Sequence, residues 1–372
     1  MRTLRIAILG TRGIPNRYGG FEQFAEYLSQ GLVQRGHEVY VYNSSLHPYT
    51  ESTWNGVNIL QKKDPENKLG TFGQFLYDLN CIRDARKRDF DISLQLGYGS
   101  SSIWSRLWPK NSINITNMDG LEWARTKYSA KVQYFLKKAE GWAVKASDYL
   151  IADSVAIADY LLEVYNTPSA FIPYGAKVLE NPDFSKLDIP NLEPFNYHIL
   201  VARLEPENNI EIAIQGVLAS DRQPLLIVGS YENSYGQMLY QKYNQSPKIH
   251  FLGSIYDLDI LNNLRYYSLL YFHGHSVGGT NPSLLEAMAS HALICAHNNA
   301  FNKTILENDA FYFETVEDIK TCINSVQNKL AHAALTQNNI KKIRQQYNWE
   351  QIIDQYEQLF LSCITKSEAV SK

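Results

Sequence analysis

Short apolar runs alternate with longer amphipathic stretches along the first half of the chain. Runs rich in β-branched and aliphatic residues predict strands, and stretches with a period near 3.6 residues predict helices. The predicted strands are residues 4–9, 38–42, 90–96, 113–117 and 149–153, and the predicted helices are residues 21–34, 130–146 and 155–165. Such alternation of strand and helix indicates a parallel sheet with crossover helices.

A second series of strands begins after a connector that has little periodicity. Residues 172–175 and the prolines at positions 182, 190 and 194 mark this connector. The later predicted strands are residues 199–202, 225–228, 249–252, 269–272 and 293–296. Because these runs are almost uniformly apolar, we expect both faces of their sheet to be covered. The pattern predicts an α/β protein with two doubly wound, Rossmann-like parallel-sheet domains that face each other across a cleft.

Composition and charge narrow the class of protein further. The chain has 372 residues, of which 45% are hydrophobic and 20% are charged, as is ordinary for a globular protein of two domains. Its net charge of -3 argues against bulk binding of nucleic acid. We see no signal peptide and no apolar stretch near the roughly 18 residues of a membrane span. The four cysteines lack metal-ligand spacing, so we expect reduced thiols and a cytoplasmic location.

The most informative segment is a glycine-rich loop that leads from a strand into a helix. This loop follows the predicted strand at 269–272. Asn281 offers a helix cap, Pro282 suits the first helical position, and residues 283–290 continue the helix. A helix start of this kind presents backbone amides and a positive dipole end, which suit a phosphate group. The side chain of Glu286 points back toward the N-terminus of this helix, so its carboxylate could reach hydroxyls beside that phosphate. The alternative is a helix start capped for stability, with a solvated Glu286.

A second glycine-rich loop follows the first predicted strand. Gly19 and Gly20 would let the backbone approach a diphosphate or a sugar closely, and Arg12 adds positive charge; an ordinary turn is the alternative. The loop does not match G-x-G-x-x-G, and the second strand ends at 42–44 without an acidic residue for a ribose. Both observations disfavour a dinucleotide-dependent oxidoreductase.

Further candidate residues follow other predicted strands. Arg203 follows the strand at 199–202, where its guanidinium would meet diphosphate oxygens, unless it forms a surface ion pair with Glu205 or Glu207. Asp119 follows the strand at 113–117 and either holds a sugar hydroxyl, accepts a proton or caps a turn. His273 and His275 lack a third metal ligand, so no metal site is predicted.

The helix predicted at 130–146 and the residues before it are both basic and aromatic. Such a helix can lie on an anionic membrane surface, although a solvated basic face is the common alternative. The residues concerned are Arg125, Lys127, Lys131, Lys137, Lys138 and Lys145, with Trp123, Tyr134, Phe135 and Trp142 among them. A peripheral membrane contact through residues 125–145 is therefore one expectation.

Taken together, these residues resemble the retaining glycosyltransferases of family 4, which have the GT-B fold. Residues 278–286 correspond to the E-x7-E segment of that family, which implies that Glu286 binds the nucleotide ribose. The resemblance implies that Arg203 neutralises the donor diphosphate, that Ile255 contacts the base, and that Gly19 and Gly20 form the glycine pair of the first loop. It also implies an acceptor-binding domain at 1–175, a donor-binding domain at 176–347, and a C-terminal helix at about 348–372 that packs back on the first domain.

Residues 10–22, which contain the loop after the first predicted strand, and residues 278–282 are similar to a bacterial subgroup of this family. That subgroup includes β1-4 rhamnosyltransferases of capsule and cell-wall synthesis. That similarity implies transfer of rhamnose from dTDP-rhamnose to a lipid-linked saccharide. The chain departs from the family at two places: Gly278 replaces the first glutamate, and residues 205–209 lack the usual lysine. A 6-deoxy sugar is one explanation for the lost carboxylate.

We therefore expect a retaining, metal-independent glycosyltransferase that uses no cofactor. Its substrates would be a dTDP-, UDP- or GDP-linked sugar and a saccharide acceptor, which the family suggests is carried on a polyprenyl diphosphate. Arg203, Glu286 and the amides of Gly279, Thr280 and Asn281 would bind the donor. The acceptor would meet Arg12, Tyr18 and Asp119, and chemistry would rest on Asp119 and Arg203. The alternatives are a GT-B nucleotide-sugar epimerase and a non-catalytic protein that binds sugar nucleotides.

Overall fold

The computed structural model describes residues 2–125, 127–220, 222–277 and 279–370. Backbone contacts divide the chain into two compact units. The N-terminal unit consists of Met1–Ala124, Tyr128–Tyr174 and Trp349–Lys372, and the C-terminal unit consists of Arg125–Lys127 and Gly175–Asn348. The short segment Arg125–Lys127, which the sequence places inside the first domain, thus groups with the C-terminal unit, where Arg125 pairs with Glu207 and Lys127 with Glu205.

The N-terminal unit is built on an eight-stranded sheet in the part of the chain that the structure describes. Its strands are β1 (Arg5–Leu9), β2 (Glu38–Ser44), β3 (Thr53–Trp54), β4 (Val57–Lys62), β5 (Ile92–Leu96), β6 (Ile113–Asn117), β7 (Tyr149–Ala152) and β8 (Ala170–Phe171). Their order is β3-β4-β2-β1-β5-β6-β7-β8, and every neighbouring pair is parallel except the hairpin of β3 with β4. The predicted parallel sheet is confirmed, whereas the pattern missed β3 and β4, whose polar residues mark the sheet edge.

Helices cover this first sheet. They are α1 (Gly20–Gln34), α2 (Glu66–Leu69), α3 (Thr71–Ala85), α4 (Ala130–Ala146) and α5 (Val155–Tyr165). The C-terminal helix, Trp349–Val370, belongs to the same unit and packs on α1. The pattern missed α3, whose polar residues lie among its buried ones and weaken the helical period.

A buried histidine ties the C-terminal helix to the first sheet. Nδ1 of His37 accepts a hydrogen bond from the amide of Leu4 at 3.1 Å, so the ring proton must lie on Nε2. That nitrogen donates to Oε1 of Glu357 on the C-terminal helix at 2.9 Å. Ring stacking of Tyr27 on Trp349, with centroids 4.6 Å apart, holds the start of the same helix. The helix is therefore an integral part of the N-terminal unit.

The C-terminal unit contains a second sheet, which the described residues show to be parallel throughout. Its strands are β9 (His198–Val201), β10 (Leu225–Val228), β11 (Ile249–Gly253), β12 (Leu270–His273), β13 (Ile294–His297) and β14 (Phe311–Phe313), in the order β11-β10-β9-β12-β13-β14. The helices are α6 (Ile210–Ala219), α7 (Ser234–Tyr243), α8 (Leu258–Tyr266), α9 (Pro282–Ala289), α10 (Ala300–Leu306), α11 (Val316–Ser325) and α12 (Ala333–Gln346). Fully buried aliphatic residues such as Leu200, Ile214 and Ile227 form its core.

Among the described residues, no helix combines the length and the apolar character that crossing a bilayer requires. The four cysteines are free thiols, and each is buried.

The packing of the C-terminal helix can be tested at Gly31 of α1. A Cβ at Gly31 would lie 2.3 Å from Cδ1 and 2.9 Å from Cγ2 of Ile353, so Gly31→Ala forces one helix away from the other. We expect this variant to lose about 1–3 kcal/mol of stability in urea unfolding. The matched control is Gly141→Ala in α4, where the nearest atom would be Cε1 of Tyr165 at 3.7 Å. The control variant should gain up to about 1 kcal/mol of stability, because alanine favours a helix more than glycine does. Equal changes of stability in the two variants would contradict close packing of Gly31 on Ile353.

Candidate functional site

The predicted strand–loop–helix segment is present in the C-terminal unit. Oδ1 of Asn281 accepts a hydrogen bond from the amide of Ser283 at 2.9 Å, and Pro282 is the first residue of α9. The predicted cap is therefore confirmed, and the amide of Ser283 is committed to it. Gly279 and buried Thr280 directly precede the cap. Gly278, the residue that replaces the family's first glutamate, lies outside the described residues.

The loop before α9 is anchored to a turn that follows β9. Both the amide and the hydroxyl of Ser276 donate to the carbonyl of Glu207, at 3.1 and 2.7 Å. Nδ2 of Asn209 donates to the carbonyl of Gly274 at 2.8 Å. A Cβ at Gly274 would lie 1.9 Å from the carbonyl oxygen of Asn208, so only glycine permits this approach. The ends of β9 and β12 are thereby held together.

Arg203 lies two residues beyond β9 and exposes its side chain. Its carbonyl accepts a hydrogen bond from Nδ2 of Asn208 at 2.7 Å, which orders the turn. The hydroxyl of Ser283 donates to the carbonyl of Val201 at 3.3 Å, so the first turn of α9 contacts the end of β9. Arg203 therefore follows, by two residues, a strand end that contacts the start of α9.

The surface ion pair considered for Arg203 is not formed among the described residues. Glu205 pairs instead with Lys127 at 3.8 Å, and the buried Glu207 pairs with Arg125 at 4.0 Å. The sequence pattern did not single out Arg125 for this site, because nothing local shows that it would contact residues eighty positions further along the chain.

His275 contributes a neutral hydrogen-bonding group to this region. Its Nδ1 lies 2.7 Å from Oδ1 of Asn208, an acceptor, so Nδ1 carries the proton. Burial, together with the positive charges of Arg125 and Arg203, lowers the pKa of His275 to about 3. The ring is therefore neutral at physiological pH. Both arginines lie close enough to His275 to form one positively charged region.

Glu286 is held by a buried arginine that sequence analysis missed. Its Oε2 lies 2.6 Å from a guanidinium nitrogen of Arg265, and the two side chains are 12% and 1% exposed. Arg265 also donates to Oγ of Ser283 and to Oδ1 of Asn262, each at 3.1 Å. The alternative of a solvated Glu286 is therefore wrong, because burial beside Arg265 fixes the carboxylate. No sequence signal distinguishes Arg265 from an exposed basic residue of α8.

Ile255, the expected base contact, lies just after β11 and is half-buried. Gly253 at the end of that strand has a φ of 71°, in the left-handed region that favours glycine. The chain therefore turns sharply before Ile255.

In the N-terminal unit, the first glycine-rich loop closes over a buried carboxylate. Gly20 is the first residue of α1 and Gly19 its cap, in extended conformation with a φ of -171°. Glu22 in the first turn accepts hydrogen bonds from the amide of Arg12 at 2.8 Å and from the hydroxyl of Thr11 at 3.3 Å. Burial raises the pKa of Glu22, and these donors counteract the rise. The glycine pair thus sits on an ordered helix start.

Arg12 and Tyr18, both expected to bind an acceptor, lie together. The guanidinium of Arg12 is 5.1 Å from the ring centroid of Tyr18, whose side chain is largely exposed. Arg12 also forms two hydrogen bonds with the carboxylate of Glu66 and lies 3.6 Å from Asp64. The arginine is therefore held in place by carboxylates that the sequence analysis did not connect with it.

Asp119 lies beyond the carboxyl end of β6 in a left-handed conformation with a φ of 51°. Its amide donates to Oδ1 of Asn117 at 3.0 Å, and Nδ2 of Asn117 donates to the hydroxyl of Tyr356 at 3.1 Å. The C-terminal helix therefore supports the strand end that carries Asp119.

Asp78 is a further buried acid that sequence analysis missed. Its Oδ2 accepts a hydrogen bond from the hydroxyl of Ser100 at 2.6 Å. Burial raises the pKa of Asp78 to about 6, although the hydrogen bond from Ser100 and the charge of Arg12 oppose this rise. A helical aspartate gives no sequence signal of burial, since the same residue is commonly exposed.

Two families match parts of this sequence. The family model described as "Glycosyl transferases group 1" matches residues 184–346. The family "Domain of unknown function (DUF1972)" matches residues 110–177, which include Asp119 and Arg125. The glycosyl transferase segment contains Arg203, Ile255 and Glu286. None of the curated proteins matches the sequence.

Solved structures resemble the whole chain. Sucrose-phosphate synthase from Thermosynechococcus elongatus has a TM-score of 0.76 at 18% identity, over 98% of this chain and 100% of its own. HepE from Anabaena, in complex with UDP and glucose, has a TM-score of 0.76 at 15% identity, over 97% and 100%. Trehalose-6-phosphate synthase from Burkholderia multivorans has a TM-score of 0.71 at 11% identity, over 100% and 99%. These similarities establish the fold alone, and they confirm the predicted GT-B class with two Rossmann-like domains.

The Arg265–Glu286 pair of the glycosyl transferase segment can be tested by removing one charge. Glu286→Gln leaves a buried guanidinium without its counter-charge, so we expect a loss of about 3 kcal/mol in urea unfolding. The control is Glu317→Gln, because the carboxylate of Glu317 is 72% exposed and pairs with Lys320 on the surface. It should change stability by less than about 0.5 kcal/mol. Similar losses in the two variants would contradict a structural role for the buried pair.

The raised pKa of Asp78 predicts a pH dependence of stability. The folded state binds the proton more tightly than the unfolded state, whose pKa stays near 3.8, so protonation stabilises the fold as the pH falls below about 6. As the pH falls from 7 to 5, the contribution of Asp78 to the free energy of unfolding should rise by about 1 kcal/mol. Asp78→Asn removes that contribution, and urea unfolding of both proteins at the two pH values measures it. An identical pH response in the two proteins would rule out the raised pKa.

Proposed function

We propose that this protein transfers a sugar from a nucleoside-diphosphate donor to a saccharide acceptor, with retention of configuration at the anomeric carbon. The observation that carries the proposal is the arrangement at the ends of β9 and β12. There the exposed Arg203 lies two residues beyond the end of β9 that contacts the start of α9, and Arg265 fixes Glu286 one turn inside that helix. A positive side chain, a helix start and an oriented carboxylate are the groups that a diphosphate with an attached ribose requires.

Each group has a distinct role in the proposed donor complex. Arg203 and the positive end of α9 bind the diphosphate and stabilise the charge that develops on it as its bond to the anomeric carbon breaks. The carboxylate of Glu286 accepts hydrogen bonds from the ribose hydroxyls. Arg125 supplies a second cation near Arg203, where residues 205–209 lack the lysine found in the family. The donor also meets Ile255 at its base and the backbone of Gly279, Thr280 and Asn281.

The proposed acceptor is a saccharide linked to a lipid, and the proposed sugar is rhamnose from dTDP-rhamnose. The resemblance of the two glycine-rich loops to bacterial rhamnosyltransferases supports this choice, as does glycine at position 278 in place of a carboxylate. In the N-terminal unit, Arg12, Tyr18 and Asp119 bind the acceptor, and Gly19 and Gly20 let the backbone approach the donor. The acceptor hydroxyl forms the new bond to the anomeric carbon as the bond from that carbon to the diphosphate breaks, and the hydroxyl proton passes to an oxygen of the departing diphosphate. The UDP and glucose bound by HepE from Anabaena support a nucleotide-sugar as donor for this fold.

The donor role can be tested at Arg203. Arg203→Ala removes charge-assisted hydrogen bonds to the diphosphate, so we expect the dissociation constant for dTDP, UDP or GDP to rise about 10- to 100-fold in titration calorimetry. Transfer from the preferred donor should slow correspondingly. Arg222→Ala is the control, because Arg222 is an exposed arginine of the same unit away from α9.

A transfer assay run with and without an acceptor separates the proposed glycosyltransferase from its alternatives. Sugar transfer that requires an acceptor supports a glycosyltransferase. Conversion of the donor sugar without any acceptor would instead identify an epimerase, and tight binding of donor without turnover would identify a non-catalytic binding protein. Unchanged affinity and rate in the Arg203→Ala variant would remove the assigned role of that residue.

A further inference from the structure

Helix α4 presents a narrow stripe of basic and aromatic side chains to solvent. Its members are all exposed: Lys131, Tyr134, Lys138, Trp142 and Lys145. With 3.6 residues per turn, these positions fall within about 80° of the helix circumference, and the stripe is about 21 Å long. Basic and aromatic residues alternate along it, so no contiguous apolar groove is formed. We call this stripe the α4 face.

Other basic residues near α4 are engaged within the protein. Arg125 and Lys127 pair with Glu207 and Glu205 in the C-terminal unit. Lys137 lies 4.6 Å from the ring centroid of Trp123 and pairs with the buried Glu140 at 2.9 Å. The basic surface expected over residues 125–145 is therefore narrower than the sequence suggests, and it consists of the lysines of the α4 face.

A chain of aromatic contacts extends the α4 face onto the start of α3. The ring of Trp142 lies 6.0 Å from that of Phe135, which lies 5.8 Å from Phe75, which in turn lies 6.2 Å from Phe72. Phe72, at one end of this chain of rings, is 60% exposed. Tyr134, which belongs to the α4 face, is 66% exposed. Large aromatic side chains are thus exposed at both edges of a continuous aromatic layer.

The charge of the α4 face is positive although the whole chain carries a net charge of -3. Within α4, whose residues the structure describes in full, Glu140 is the sole acidic residue. Its buried carboxylate accepts hydrogen bonds from Trp123, Tyr160 and Tyr165 at 3.0, 2.6 and 2.6 Å. No carboxylate of α4 therefore offsets the three exposed lysines.

We propose that the α4 face binds the surface of an anionic phospholipid bilayer. Exposed lysines are attracted to anionic headgroups, and tyrosine and tryptophan favour the boundary between headgroups and acyl chains. Lysine is depleted in protein–protein interfaces, so alternation of lysine with aromatic residues favours a lipid surface over a protein partner. This binding is independent of the proposed donor site and would bring the protein to a lipid-linked acceptor.

The experiment measures sedimentation of the full chain with vesicles of phosphatidylcholine containing 30% phosphatidylglycerol, without donor or acceptor. The combined variant Lys131→Glu, Lys138→Glu and Lys145→Glu should bind at least about 100-fold more weakly, since each lysine near an anionic surface contributes about fivefold. The control variant Lys177→Glu, Lys303→Glu and Lys341→Glu changes the net charge equally at exposed lysines of the C-terminal unit, and it should bind as the unmodified protein does. Binding should also weaken as salt is raised.

A second variant tests the aromatic contribution. Tyr134→Ser with Trp142→Ser keeps the three lysines, so we expect about tenfold weaker binding that retains the salt dependence. If charge reversal disturbs folding, as thermal unfolding would show, glutamine at the same three lysines removes the charge without reversing it. Equal loss of binding in the α4 and control triple variants would overturn the proposal. So would equal binding to vesicles of phosphatidylcholine alone, or no binding to the anionic vesicles.

Discussion

The close contact between the loop before α9 and the turn after β9 organises the candidate donor site. Gly274 lets its backbone meet the carbonyl of Asn208, and two hydrogen bonds from Ser276 to Glu207 complete the contact. Because the strands on either side are parallel neighbours, this contact sets where Arg203 and the start of α9 lie relative to each other. A side chain at Gly274 would separate the two loops and with them the positive charge and the helix start.

Paired charged groups, buried in one unit and half-buried in the other, orient candidate site residues in both units. Arg265 fixes Glu286 in the C-terminal unit, and Glu66 holds Arg12 in the N-terminal unit. A buried ion pair contributes little net stability, because removing both charges from water offsets most of their attraction. Its effect is orientation, since a carboxylate that already has a charged partner keeps one position when a ligand arrives. Such preorganisation is what binding of a polar ligand requires.

The match of residues 184–346 to the glycosyl transferases group 1 and the GT-B fold support the proposed transfer of a sugar, and the proposed donor and acceptor depend on individual residues. The neutral His275 is informative in this respect. Its ring hydrogen-bonds to Asn208, so the positive charge of the region comes from Arg203 and Arg125. A histidine that stays neutral beside two arginines can hydrogen-bond to a ligand without titrating near pH 7.

Local sequence determined most of the secondary structure and the cap of α9. Apolar runs predicted the central strands, because strands buried on both faces need uniformly apolar residues. Asn281 and Pro282 predicted the start of α9, because capping depends on residues within one turn. The edge strands and α3 escaped prediction, since half-exposed elements carry mixed polar patterns.

Tertiary structure decided the partners of the charged residues. Nothing near Arg265 in sequence shows that it is buried against Glu286, and nothing near Lys137 in sequence shows that it lies 4.6 Å from the ring centroid of Trp123. Burial and charge pairing depend on which elements meet in space, and that information is spread over the whole chain. The sequence by itself therefore determined the fold class and the position of the candidate donor loop, and the three-dimensional packing determined which charges remain available to a ligand or a membrane.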